Sequence, residues 1–289
     1  MGEQRGKLYL IPTLDPEFGQ EWSHPAAREM TLMTLTRRDF VSTASLAVFA
    51  TATAANALNL VESETARSST AWRIGLVQSA PWDIEPSRMQ EDTTRNLARM
   101  LEVIDRHGPE CDWLAFNDCP LTGRSISMEP SATQIEALRA AARRHDCAVS
   151  FGCGAGHRAL LVSADETAVQ YGPLVNLYGR RIAIVSAAQS PIATATLDSA
   201  RVEMERALQQ GAEALLIMRS GPNAEPTWIT DIAAGLPLLH VSAACDTHIP
   251  GHTSDWLGGT RACDTHGLTL GHIAHAEEGV LQVQLYFGV

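Results

Sequence analysis

Asp118, Cys119 and Cys153 have side chains that could do proton-transfer and nucleophilic chemistry. Asp118 and Cys119 directly follow an apolar run in Phe116-Asn117-Asp118-Cys119, and Cys153 closes a second apolar run. A thiol reacts as its thiolate, so a neighbouring base such as Asp118 or His157 would make Cys119 or Cys153 a candidate displaced nucleophile. The alternative is that each cysteine is a buried free thiol acting as a small apolar side chain.

A Cys-x-x-His pattern occurs twice near the end of the chain. Cys245 and His248 form the first copy, and Cys263 and His266 form the second. Two thiolates and two imidazoles make a ligand set that suits zinc. The alternative is that the second copy is an ordinary turn, in which Asp264 serves the turn geometry and Gly267 supplies a positive φ. No organic cofactor is expected, because the chain has neither a glycine-rich phosphate loop nor a haem-attachment motif.

Strand-like and helix-like patterns alternate along the chain and then give way to hairpins, which predicts an α/β domain with a mixed sheet. Short apolar runs predict strands at 72–78, 112–116, 147–152, 159–162, 181–186, 213–218 and 236–242. Apolar residues at helical spacing predict helices at 87–107, 133–145 and 196–210. Three further strands, at 259–263, 268–274 and 280–285, close the predicted domain, which spans 72–289.

The region upstream of this domain has the three parts of an export signal in order. Arg37-Arg38 precedes a mild apolar run, which leads to Ala55-Asn56-Ala57. This resembles a twin-arginine signal peptide at 30–57, cleaved after Ala57. We expect residues 1–29 to be a non-native or disordered extension and residues 58–71 to be a linker. The mature protein would then be exported, to the periplasm or beyond the cell, with the twin-arginine export machinery as a partner.

Composition limits the classes of function. The chain has 289 residues, 45% of them hydrophobic, and a formal net charge of −11. An acidic chain repels phosphate backbones, so nucleic acid is not an expected partner. Six cysteines over this length are too sparse for a disulfide scaffold.

Four stretches, in order, resemble the carbon–nitrogen hydrolase family, which includes nitrilases and amidases. The first is Arg73–Gln78 with Asn96 on the helix that follows, and the second is Cys111–Gly123. The third is Gln210–Leu216. The last comprises Gly258-Gly259-Thr260, Asp264, Gly267 and Glu278–Leu281.

This resemblance implies a fold, an assembly and a reaction. The fold would be a single-domain four-layer α-β-β-α sandwich, and the protein would assemble as a homo-oligomer through helices on one face. The family uses a Glu base, a Lys and a Cys nucleophile to cleave carbon–nitrogen bonds of small molecules. The Cys attacks the carbon, the Glu moves the proton and the Lys stabilises the developing anion.

The chain departs from the family at all three catalytic positions. Asp118 stands at the Glu position, with a side chain one methylene shorter. The Lys is expected between Leu161 and Gly179, but the only lysine of the chain is Lys7. Ala187 falls at the nucleophile position, with Ser186 beside it.

Three hypotheses follow. In the first, the protein is exported and non-catalytic, and it binds a small-molecule ligand or serves a partner. In the second, it is an active hydrolase of amide or other non-peptide carbon–nitrogen bonds that uses Asp118 with a rearranged nucleophile. In the third, it binds a metal through the paired Cys-x-x-His units.

Overall fold

A computed structural model shows a mixed α/β domain built on two β-sheets. The structure describes residues 7–10, 71–81, 84, 86–123, 129–153, 158–164, 169–188, 194–220, 235–243, 259–274 and 277–287. The predicted signal peptide lies outside these residues, as does the predicted linker except for its last residue, Ala71. The prediction of an α/β fold with a mixed sheet is confirmed.

Sheet 1 has seven strands in the order β1-β13-β2-β3-β4-β5-β6. Its central strands β2, β3 and β4 run parallel, and the others pair antiparallel. The strands are β1 (Lys7–Leu10), β2 (Ala71–Gln78), β3 (Trp113–Phe116), β4 (Ala148–Cys153), β5 (Arg158–Val162), β6 (Gln170–Tyr171) and β13 (Gly279–Tyr286). Strand β1 lies within the segment that we predict to be an extension, and it pairs with β13.

Sheet 2 has six strands in the order β12-β11-β10-β9-β8-β7. Strands β8, β9 and β10 run parallel, and hairpin-like pairs flank them on both sides. The strands are β7 (Leu174–Leu177), β8 (Arg180–Ala188), β9 (Ala214–Ser220), β10 (Leu238–Ser242), β11 (Arg261–Cys263) and β12 (Thr269–His272). The chain passes from sheet 1 to sheet 2 through the short strands β6 and β7, which the sequence does not predict.

Three helices of the described residues supply amphipathic faces that pack on the sheets: α1 (Met89–His107), α2 (Ala132–His145) and α3 (Thr194–Gln209). Helix α2 begins with a capping box, in which Ser131 accepts from the Gln134 backbone and Gln134 accepts from the Ser131 backbone. It ends at Asp146, whose left-handed conformation (φ 54°) turns the chain into β4. These local signals explain why the predicted helices coincide closely with the observed ones.

The buried apolar residues fall into three clusters that follow the sheet faces. One cluster contains residues of both sheets, such as Ile74 and Leu76 of sheet 1 with Ile184 and Leu216 of sheet 2. A second joins sheet 1 to α1 and α2, and a third joins sheet 2 to α3. Successive side chains of a strand point to opposite faces of the sheet, so one strand can contribute to the clusters on both faces. None of the helices in the described part of the chain is long and apolar enough to cross a membrane.

Candidate functional site

The two sheets bring a carboxylate and a hydroxyl together at the ends of their parallel strands. Asp118 lies just after β3 in sheet 1, and Ser186 lies near the end of β8 in sheet 2. The Ser186 Oγ donates a hydrogen bond to Asp118 Oδ1 at 2.6 Å. Asp118 is fully buried and Ser186 is 7% exposed. A hydrogen bond of this length between buried groups holds both side chains in one arrangement.

Gly152 makes room for this pair, and sequence reasoning did not single it out. A Cβ at Gly152 would lie 2.1 Å from Asp118 Oδ1 and 3.0 Å from Ser186 Oγ. The backbone of Gly152 also accepts from the Cys119 N–H at 3.0 Å, which ties the end of β3 to β4. The importance of Gly152 comes from the close approach of Asp118 and Ser186 in the folded protein. A glycine within an apolar run of the sequence does not reveal this approach by itself.

A tight turn follows Asp118 and fixes its direction. Cys119 has a left-handed backbone (φ 54°), and its carbonyl accepts from the N–H groups of Thr122 and Gly123 at 3.2 and 2.9 Å. A non-glycine residue in this conformation costs of order 1 kcal/mol and persists only where its surroundings hold it. The turn places the Cys119 thiol beside Asp118.

The thiols of Cys119 and Cys153 are poorly suited to act as nucleophiles. Burial, and then the negative charge of Asp118, raises the pKa of Cys119 well above its usual range. Burial, and then Glu129, raises the pKa of Cys153 in the same direction. Glu129 accepts from Cys153 across 3.7 Å and pairs with Arg158 at 2.6 Å. Both cysteines are therefore expected to be protonated near neutral pH, which favours the interpretation as buried free thiols.

The structure describes the expected nucleophile position and, apart from 165–168, the stretch expected to carry the Lys. The backbone of Ala187 lies in β8, opposite Arg219 of β9, and the side chain that reaches Asp118 is that of the preceding Ser186. The stretch expected to carry the Lys contains β6 and β7 instead. Lys7 lies in β1, paired with Tyr286 of β13. His157, a predicted activator of the thiols, lies outside the described residues.

The second Cys-x-x-His copy forms a hairpin turn. The Asp264 Oδ1 accepts from the backbone N–H groups of His266 and Leu268 at 2.8 and 2.9 Å, and Gly267 has a positive φ of 78°. Cys263 is buried in the apolar cluster that joins sheet 2 to α3, whereas His266 is exposed. Cys245 and His248 lie outside the described residues, and within the described ranges no three His, Cys, Asp or Glu side chains form a metal-binding group. Asp264 and Gly267 thus have the turn geometry of the alternative interpretation, and the zinc ligand set stays a prediction.

A second buried polar group lies on β10 of sheet 2. His240 and Ser242 are 3% and 6% exposed, and the His240 Nε2 lies 3.4 Å from the Ser242 Oγ. Burial, and then the positive charges of Arg219 and Arg261, lowers the pKa of His240 well below its usual value. This histidine is therefore neutral, and sequence reasoning did not single it out.

Comparison with known proteins gives a fold. No protein-family model and no curated protein matches the chain. Among solved structures, a cysteine-to-alanine mutant of the nitrilase-superfamily amidase from Nesterenkonia AN1 has a TM-score of 0.56 and 18% identity, covering 75% of this chain and 90% of that one. A double mutant of that amidase in complex with acrylamide has a TM-score of 0.56 at 19% identity, covering 73% and 89%.

A third structure, the cysteine-to-alanine mutant of the same amidase in complex with butyramide, has a TM-score of 0.54 and 19% identity, covering 75% and 90%. The chain therefore has the fold of a nitrilase-superfamily amidase, a carbon–nitrogen hydrolase fold.

Proposed function

We propose that this chain is an exported carbon–nitrogen hydrolase-like protein that binds a small carboxamide-like ligand and does not operate the thiol-acyl reaction. The observation that carries the proposal is the hydrogen bond from Ser186 to the buried Asp118. On β8, where the family's nucleophile is expected, the side chain that faces the carboxylate at the position of the family's base is a hydroxyl and not a thiol. Loss of one member of a catalytic unit removes most of its effect, because the members act together.

The remaining thiols support this proposal. The Cys119 thiol lies beside Asp118, and burial and this carboxylate together favour its protonated form. Cys153 is likewise held protonated by burial and Glu129. The chain also has no lysine after Lys7 that could stabilise a developing anion. A thiol-acyl route would therefore lack both its nucleophile and its cation.

The ligand class follows from the hydrogen-bonding groups of the pair. Asp118 offers acceptor oxygens, and the Ser186 hydroxyl can donate or accept. A primary carboxamide carries two N–H donors and one carbonyl acceptor, so it complements this pair. Two structures of the similar amidase hold acrylamide and butyramide, which are ligands of this chemistry.

The proposal extends to the organisation of the whole protein. The order of Arg37-Arg38, apolar run and Ala55-Asn56-Ala57 supports export through the twin-arginine machinery. The three apolar clusters, one between the sheets and one under the helices of each sheet, support a four-layer α-β-β-α sandwich. Assembly as a homo-oligomer is the part of the proposal that rests on the sequence resemblance to the carbon–nitrogen hydrolase family alone.

A ligand titration tests the proposal. We expect butyramide and acrylamide to bind the mature protein in calorimetry, and Asp118→Asn to weaken binding by ten-fold or more, because an amide replaces the charged acceptor. The matched control is Asp105→Asn, which removes an exposed carboxylate paired with Arg144 and His145 on α1 and α2. Equal binding by the Asp118→Asn variant, or the absence of binding by an intact fold, would contradict the proposal.

A further inference from the structure

We propose that Ser186 accepts an acyl group from activated esters, with Asp118 taking the proton of the hydroxyl. This inference rests on the site of the proposed function and adds one covalent step to it. It identifies Ser186 as the rearranged nucleophile that an active hydrolase would need.

The geometry of the pair is that of a nucleophile and its base. The Ser186 Oγ lies 2.6 Å from Asp118 Oδ1, within the range at which a base takes a hydroxyl proton. The hydroxyl is the donor and the carboxylate is the acceptor, so the proton already lies on the line along which it would move.

The two members of the pair differ in their exposure in a way that suits these roles. Ser186 is 7% exposed, whereas Asp118 is fully buried. Ser186 is therefore the member of the pair that keeps some exposed surface, while the carboxylate is shielded from water. A base that is excluded from water keeps its hydrogen bond to the nucleophile and does not exchange it for solvent.

The position of the pair is rigid on both sides. The backbone of Ser186 lies in β8, opposite Met218 of β9, in the interior of a parallel ladder. Asp118 is held by the turn at Cys119 and by the approach of Gly152, whose lack of a Cβ leaves space for both side chains. Preorganised groups on sheet elements lose little entropy when a reaction requires them in one geometry.

The step balances as a simple acyl transfer. The Ser186 Oγ attacks the carbonyl carbon of a p-nitrophenyl ester, and a bond forms between Oγ and this carbon. The bond between the carbon and the phenolate oxygen breaks, and p-nitrophenolate leaves with the electron pair. Asp118 takes the hydroxyl proton. The products are the acyl ester of Ser186, a protonated Asp118 and the phenolate.

The acyl group is expected to stay on Ser186. Its release needs a second attack by water and stabilisation of another anion. The chain has no lysine beyond Lys7 to stabilise that anion. The first step depends less on a stabilising cation, because the phenolate of an activated ester is a good leaving group. The acyl-serine formed from it is a much less reactive ester, and we therefore expect it to accumulate.

Ser242 is a matched comparison within the same sheet. It ends β10, is 6% exposed and lies 3.4 Å from the Nε2 of a neutral histidine, His240. Its burial matches that of Ser186, but its contact with a base is longer. If burial alone, or a histidine base, decided the reaction, Ser242 would also accept the acyl group.

The experiment exposes the full chain to p-nitrophenyl acetate and locates the acetyl group by peptide mapping in a mass spectrometer. Mapping separates Ser186 from the amines of Lys7 and the chain terminus, which such esters also acetylate. We expect acetylation of Ser186, its loss in Ser186→Ala and its retention in Ser242→Ala. Asp118→Asn should slow labelling of Ser186 by about 10²-fold or more, as expected for loss of a positioned base.

The inference is overturned if Ser186 stays unlabelled in the folded protein, or if Asp118→Asn labels as fast as the unmodified chain. Circular dichroism checks that each variant is folded. Failure of the inference and failure of the proposed function are distinguishable: a protein that binds butyramide through Asp118 but is not acetylated at Ser186 retains the binding function alone.

Discussion

At the scale of single residues, Gly152 is the position at which a small change is expected to have the largest effect on the site. A Cβ there would lie 2.1 Å from Asp118 Oδ1, so Gly152→Ala must move the carboxylate, the hydroxyl of Ser186 or the strand itself. Forcing an extra methyl group into a packed region costs about 1–3 kcal/mol. We expect denaturant unfolding to show a loss of that size.

Gly279→Ala is the matched control for this change. Gly279 begins β13, and a Cβ there would meet only the Ile273 side chain, at 3.8 Å, which is an ordinary contact. Its effect on the free energy of unfolding should be within about 0.5 kcal/mol, as for surface substitutions without special features. Equal stability of the two variants would show that the space at Gly152 is not needed.

The cysteines allow a second prediction at this scale. Since burial and nearby carboxylates raise the pKa of Cys119 and Cys153, both should react slowly with iodoacetamide at neutral pH in the folded protein. Cys111 should do the same, because burial and the neighbouring Cys147 raise its pKa to about 12. Peptide mapping before and after denaturation measures each thiol separately. Rapid labelling of Cys119 in the folded state would contradict this prediction and make Cys119 a candidate nucleophile again.

At the scale of elements, the capping box of α2 is expected to contribute measurably to stability. Ser131 accepts from the Gln134 N–H at 3.2 Å, and Gln134 accepts from the Ser131 N–H at 2.7 Å. Ser131→Ala removes the side-chain acceptor and should lower the free energy of unfolding by about 1 kcal/mol. Ser131→Thr keeps a capping hydroxyl and should retain most of the stabilisation that the alanine variant loses. A neutral result for the alanine variant would contradict the capping role.

Strand β10 is expected to make folding sensitive to mild acid. Burial, Arg219 and Arg261 depress the pKa of His240, and the Gly259 carbonyl only partly opposes them. Below about pH 6.5 the unfolded chain binds a proton at His240, whereas the folded chain does not. The contribution of the neutral histidine to the free energy of unfolding is therefore fully present above that pH. It is lost as the pH falls from about 6.5 towards the folded pKa, by up to about 1.4 kcal/mol per pH unit.

The control for this acid sensitivity is His240→Gln, which removes the titrating group. The free energy of unfolding of this variant should change less between pH 6.5 and pH 5 than that of the unmodified chain. The same slope for the His240→Gln variant and the unmodified chain would show that other groups cause any acid sensitivity.

At the scale of the whole molecule, the long apolar runs and amphipathic stretches were predictable because burial determines them. The buried β8 and β9 and the capped α2 follow directly from their residues. Strands β6 and β7 were not predictable, because two to four residues carry too short a pattern and depend on their partners in each sheet. The same holds for β1, whose pairing with β13 joins segments far apart in the chain.

The candidate site, too, was only partly predictable from the sequence. The sequence indicates Asp118 and Ser186 as residues at the ends of two strands, but it cannot tell that they meet. Their contact depends on how sheet 1 packs on sheet 2 and on which face of β8 carries Ser186. The role of Gly152 depends on the distance between strands. Contacts across sheets arise from tertiary packing, and local patterns do not encode them.

Ammonia release is the measurement that tests the central claim most directly. The purified mature domain is incubated with a panel of amides, nitriles and N-carbamoyl compounds and compared with a protein-free blank. The account predicts no ammonia above the blank while the fold stays intact, because neither a reactive thiol nor a lysine serves Asp118. Ammonia release that Asp118→Asn abolishes would contradict it and show that the site has been rewired into an active hydrolase.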